Sequence, residues 1–250
     1  MKKTEVRQNT IDLIQSSIET LKLDYSSVVN QDIENGTFAT NDKQISDAKL
    51  YFFNLGIKFN LFKSPRREDD AIIFLLETSK HKFCLKMLPD VWIGMAEHIR
   101  AKGYLSRMSK SKYLQNIHFF KLNAFTESIL YLYDYMEGVP LSKMIDKASV
   151  KQKKEILKTF NKCINDWVLN YNLDVNFDDL DNFLIDPSNL SDISLTDVNI
   201  AFQASGIVPT KDLLRIVRRR ALRLLSEKGF DRIDVYHALF KNKLKKTKSD

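Results

Sequence analysis

The apolar pattern of this chain changes period near Ala71, and that change limits its fold more than any other feature. Ala71–Thr78 (AIIFLLET) and Lys82–Leu88 (KFCLKML) are short, apolar and β-prone. The polar Ser79-Lys80-His81 between them marks a hairpin. Val91 to about Lys112 reads as a helix, and Ile117–Leu122 and Ser128–Tyr135 (SILYLYDY) read as two further strands. Glu137-Gly138-Val139-Pro140 then breaks regular structure, and the pattern is helical as far as Tyr171. Short strand-like pieces at Asn182–Ile185 and Ile193–Thr196 come before the helices that run to the end. Strands gathered in one stretch and helices in another predict an α+β architecture, with its boundary near Gly138.

Ahead of the strands, Val6, Ile11, Ile14, Ile18 and Leu21 form a helical stripe across about Thr4–Tyr25. Val29–Asn41 is polar, contains Asn35-Gly36 and reads as a loop. A short helix is expected around Ile45–Leu55. The organisation this predicts is a helical extension over 1–60, a strand-rich part over 61–137, a helical part over 138–240 and a basic tail over 241–250.

Length and composition exclude several classes. With 250 residues, 44% of them hydrophobic and 28% charged, the chain can build a sizeable core and is not disordered in composition. Its longest apolar runs, such as Ala71–Leu76, are too short to span a bilayer. The opening MKKTEVRQNT has no apolar core after its lysines, so a signal peptide is not expected. Cys84 and Cys163 are then reduced thiols of a cytosolic protein, and Cys84, set among apolar neighbours, reads as buried packing. The four histidines and two cysteines make no zinc spacing, and neither a Walker A nor a Gly-x-Ser-x-Gly pattern occurs.

The net charge of +7 is unevenly placed. Between Cys163 and Thr210 there are eight aspartates and no Lys or Arg, whereas Lys211–Asp250 carries thirteen basic residues against five acids. The acidic block needs counter-charge, for which Mg²⁺ is one source. The basic stretch suits a polyanion or an anionic membrane surface.

Three places could carry chemistry. Lys86 sits between Leu85 and Met87 on a predicted strand, either held by a partner or snorkelling from an edge strand. Glu97 is the one acid between Val91 and Thr126, either the partner of Lys86 or a solvated helix residue. Asp178-Asp179-Leu180-Asp181-Asn182 and Leu195-Thr196-Asp197 flank a short hairpin that brings Asn182 and Asp197 together. Both offer oxygen to a hard cation; the alternative is an ordinary acidic hairpin turning at Asp186-Pro187-Ser188-Asn189.

The segment Asp179–Asp197 resembles the catalytic and metal-binding loops of bacterial lipopolysaccharide core kinases, the heptose and Kdo kinases of the kinase-like superfamily. The apolar strand ending in Tyr135-Met136-Glu137-Gly138-Val139 is similar to their hinge, and Lys211-Asp212-Leu213-Leu214-Arg215 to a helix start that follows their metal loop. The likeness runs from about Ala71 to Leu225. It implies a two-lobed protein-kinase-like fold, with a small β-rich N-lobe, a larger helical C-lobe and an N-terminal helical extension. It also implies ATP and Mg²⁺ as cofactors. Lys86 would contact the phosphates and Glu97, the backbone of Tyr135, Met136 and Glu137 would meet adenine, Asn182 and Asp197 would hold metal, and Asp178 would be the base. The acceptor would be a lipopolysaccharide core sugar or similar anionic glycolipid. The protein would be cytoplasmic, touching the inner membrane through Arg215–Arg223 (RIVRRRALR) and the lysine tail.

The chain departs from that pattern in three places. Kinases of this kind place the catalytic aspartate five residues before the metal asparagine, where this chain has Phe177, and Asp178 is one residue closer. Phe62-Lys63-Ser64-Pro65-Arg66-Arg67 lacks the glycines of a phosphate-covering loop, and Val198-Asn199 stands in place of Phe-Gly. A pseudokinase that binds without turnover is therefore a second reading. A nucleic-acid-binding protein using the basic C-terminus is a third, with no base-reading motif in its favour.

Overall fold

The computed structural model describes residues 3–32, 37–65, 71–89, 111, 113, 117–123, 128–175, 177, 179–195, 201–203 and 209–241. Its backbone contacts divide the chain into two compact units, Met1–Leu105 with Asn116–Tyr135, and Ser106–Gln115 with Met136–Asp250.

The first unit is built on a five-stranded antiparallel sheet of β3 (Lys58–Lys63), β4 (Ile72–Glu77), β5 (Lys82–Pro89), β6 (Ile117–Asn123) and β7 (Ser128–Asp134), in the order β3-β4-β5-β7-β6. Side chains alternate between the two faces of a strand, and the register carries that alternation across the sheet. Phe74 pairs with Leu85 and Leu85 with Leu132, so these three share one face. That face packs on α1 (Lys3–Thr20) through Ile11, Ile14 and Ile18, and on α3 (Asp42–Asn54) through Ala48 and Phe52. Phe52, Phe59 and Phe74 stack in series, with ring centroids 5.0 and 4.5 Å apart. The helices of the N-terminal stretch thus share one core with the sheet, each large side chain contributing about 1.5–3 kcal/mol by its burial.

The polar stretch read as a loop over Val29–Asn41 is instead a small hairpin. β1 (Val29–Asp32) pairs with β2 (Thr37–Thr40), and Asn35-Gly36 lie outside the described residues. The short α2 (Tyr25–Val28) precedes it, capped by Asp24. The strand β3 was also not expected. The helix predicted from Val91 to about Lys112 falls almost wholly outside the described residues.

In the second unit, β8 (Val139–Pro140) leads into α4 (Leu141–Lys147) and α5 (Val150–Asn165), and a π-helical turn over Asp166–Asn170 extends α5. Ser149 and Gln152 form a capping box that starts α5 afresh after α4. The amphipathic period then buries Ile156, Leu157, Phe160, Cys163 and Ile164. β10 (Phe183–Asp186) lies between β11 (Asn189–Leu195) and β8, while β9 (Leu173–Val175) pairs with β12 (Ala201–Gln203). Helices α6 (Thr210–Glu227) and α7 (Arg232–Tyr236) follow, with a further π turn over His237–Lys241. Among the described residues, no helix is long and apolar enough to cross a membrane.

Candidate functional site

Lys86 lies on β5, the middle strand of the five, between Ile73 of β4 and Tyr131 of β7. The edge-strand reading of this lysine therefore does not hold. By alternation its side chain shares a face with Cys84, Tyr131 and Tyr133, opposite the face that α1 and α3 cover. It is half-buried. Cys84 beside it is buried, and burial pushes its thiol up to about 12 despite a hydrogen bond with Tyr133. That thiol is packing, as the sequence implied.

At the end of β7 the chain reaches the residues expected to form a hinge. The Tyr135 amide donates to the Lys82 carbonyl at 3.0 Å, the Lys82 ammonium lies 5.6 Å from the Tyr135 ring centroid, and Phe62 of β3 meets that ring edge-to-face at 6.3 Å. One residue earlier, the Asp134 carboxylate accepts from Arg7 of α1 and from His118 of β6. Burial alone would raise the Asp134 carboxyl, but the hydrogen bonds and positive charge of His118 and Arg7 hold it below the ordinary aspartate value.

Met136 and Glu137 open the second unit, and Gly138 follows where the backbone must pass close to β10. A Cβ at Gly138 would stand 3.0 Å from the Ile185 carbonyl oxygen. The next residues, Val139 and Pro140, pair with Ile185 and Leu184.

Asn182 ends a short 3-10 turn, Leu180–Asn182, capped by Asp179, whose carboxylate accepts from the Asp181 amide at 3.1 Å. Ser142 of α4 donates to the Asp181 carboxylate and ties this turn to the helix. Phe183 pairs with Leu195, so Asn182 stands immediately before one end of the β10–β11 hairpin and Asp197 follows the other by two positions. The turn sits where the sequence put it: Asp186 accepts from the Ser188 hydroxyl and amide, which lowers its own pKa.

Phe177, five residues before Asn182, is buried in an aromatic cluster. Its ring stacks on Phe183 at 5.7 Å and lies 5.6 Å from Phe160, and Trp167 completes the group at 5.9 Å from Phe183. No proton acceptor can come from that position. Glu97, Asp178 and Asp197 lie outside the described residues. Among the described residues, no three His, Cys, Asp or Glu side chains gather as a metal site.

Of the basic residues of α6, Arg218 donates to Asn165 at 2.9 Å and Arg220 to Asp174 at 2.5 Å, while Arg215, Arg219 and Arg223 are exposed. The inward pair could not be told from the outward three in the run RIVRRRALR by composition; the helical period separates them, with Leu213, Val217, Ala221 and Leu224 marking the buried side.

No protein-family model and no curated protein matches this chain. Among solved structures, it matches the autoinhibited serine kinase domain of the giant muscle protein titin. The TM-score is 0.50 and the identity 12%, over 78% of this chain and 68% of that one. The fold is kinase-like. At that identity the likeness carries the architecture and leaves substrate and catalytic competence to the residues themselves.

Proposed function

We propose that this chain is an ATP-dependent phosphotransferase acting on a sugar hydroxyl of the lipopolysaccharide core or a similar anionic glycolipid. The observation that carries the reading is Lys86, half-buried on the middle strand of a kinase-like sheet and on the face away from the helical cover. Lys86 would hold the phosphates, with Glu97 as its acidic partner. The Tyr135–Glu137 backbone would meet the adenine. Asn182 brings an amide oxygen, which suits a hard cation, and Asp197 is the carboxylate that sequence places beside it. Mg²⁺, when bound, supplies charge neutralisation on the phosphates. Asp178 would accept the proton of the acceptor hydroxyl. Catalysis would be positioning and electrostatics in the main. The acceptor class rests on the sequence resemblance, and the exposed Arg215, Arg219 and Arg223, with the lysine tail, would meet the anionic surface that carries it.

A second reading, a kinase-like binding module without turnover, has one observation in its favour: Phe177 is locked in an aromatic core where a base would be needed.

Thermal stability with ATP, with and without Mg²⁺, tests the nucleotide and metal site. A ligand at a hundred times its dissociation constant adds about 2.7 kcal/mol to a folded state that alone binds it. A Mg²⁺-dependent rise in wild type that is lost in Asp197→Asn is the expected result. No rise with any nucleotide would remove the phosphotransferase reading and leave at most the binding module. Phosphate transfer to a core oligosaccharide that Asp178→Asn abolishes separates the enzyme from the binding module.

A further inference from the structure

In the second unit, two adjoining cavities of about 210 and 410 Å³ run along the first half of α5. They share Lys154, Leu157 and Asp234, so they form one groove between α5 and the segment from the end of α6 through α7 to Lys241. Its floor is apolar, made by Leu157, Phe230 and Ala238. Its rim carries two large apolar side chains that solvent reaches freely, Val150 at 71% and Ile233 at 67% exposed. Val150 lines one cavity and Ile233 the other, so each part of the groove has an exposed apolar side chain at its edge.

The charge around the groove identifies what fits. Lys153, Lys154, Lys158 and Lys241 line it. Against them stand Asp234 and Asp231, and the Asp231 carboxylate is already engaged as the α7 cap, accepting from the Ile233 and Asp234 amides at 2.9 Å. Lys153 donates to the Gly229 carbonyl at 3.2 Å and lies over the Phe230 ring, which fixes one wall. Residues 243–248 cannot satisfy this rim by charge, since Lys243, Lys245, Lys246 and Lys248 extend the same positive sign. A lipid bilayer is flat on this scale and would meet the lysines but not the floor. We propose that the groove docks a short acidic segment of a partner protein, with apolar anchors on the floor between Val150 and Ile233 and carboxylates on the lysines. The mode is a peptide laid in a groove, read by anchors and by charge complementarity.

The test uses the full chain and a display library of short random peptides. Enrichment of net-negative peptides with one or two large apolar residues is expected. Their affinity, read by fluorescence anisotropy, should fall about tenfold or more in Ile233→Ser and again in the double variant Lys154→Glu with Lys158→Glu. Lys43→Glu with Lys49→Glu, the same change of charge on α3 in the other unit, should leave affinity unchanged. All three variants alter exposed side chains, and their thermal midpoints check that the fold is kept. Four results would overturn the proposal. The library could enrich no acidic peptide, or the enriched peptides could bind every variant alike. Vesicles of equal phosphatidylglycerol and phosphatidylcholine could bind as tightly as the peptides with the same dependence on Ile233. Sedimentation could show that Ile233→Ser breaks a dimer, which would make the occupant a second copy of this chain.

Discussion

Asp134 closes β7 with its carboxylate shared between Arg7 and His118, and this small cluster ties α1 and an edge strand to the point where the chain leaves the sheet. Its folded-state pKa lies below the ordinary 3.8. A depressed carboxyl contributes stability that is fully present above its unfolded value and is lost as pH falls through the folded one. Asp134→Asn should therefore cost about 1–3 kcal/mol near neutral pH, the range for hydrogen bonds to a charged group. The gap to wild type should close progressively below pH 3.8. Urea unfolding at a series of pH values measures it; a gap that stays constant into acid would mean that the cluster is not ionic. Gly138 makes a second prediction at this scale. The Cβ of Gly138→Ala would press on the Ile185 carbonyl oxygen at 3.0 Å, a backbone atom that cannot rotate away. The variant should lose about 1–3 kcal/mol by overpacking, while Gly56→Ala, whose Cβ meets nothing within 4 Å, would pay for its positive φ alone.

Elements whose apolar residues follow a clean period were legible in the sequence, and those held by other forces were not. β4 and β5 declare themselves as short apolar runs on either side of the polar Ser79-Lys80-His81, with every second residue of β4 buried, and α5 by its buried face. In β3 only Phe59 is buried, and Lys58–Lys63 (KFNLFK) is a short, half-polar run that does not stand out. β1 and β2 are polar strands joined by backbone pairing, and a polar run containing Asn-Gly looks the same whether it pairs or loops. The candidate site divides in the same way. Lys86 could be placed on a strand, but its position in the middle of the sheet depends on β7 pairing with β5 across many residues of chain, which no local pattern contains. The break between α4 and α5 was readable in principle from Ser149 and Gln152 three positions on, the spacing of a capping box. Ser149→Ala removes the acceptor for the Gln152 amide and should cost about 1 kcal/mol, lowering the urea midpoint with no change in slope. An altered slope would instead indicate that α4 and α5 had rearranged.

At the scale of the whole molecule, each unit has an aromatic core of its own: Phe52, Phe59 and Phe74 in one, Phe160, Trp167, Phe177 and Phe183 in the other. Phe52 and Phe160 are both fully buried. Truncating a buried Phe to Ala removes its transfer energy and leaves a cavity, about 3–5 kcal/mol together. If the two cores melt as separate cooperative units, calorimetry should resolve two transitions, with a calorimetric enthalpy larger than the van't Hoff value of a single fitted peak. Phe52→Ala should then lower one transition by roughly 10 °C or more and leave the other in place, and Phe160→Ala should do the reverse. Should both variants move one shared transition by equal amounts, the units unfold as a single body. The Asp134 and Gly138 substitutions would in that case report on the stability of the entire chain, and no longer on the unit that contains each.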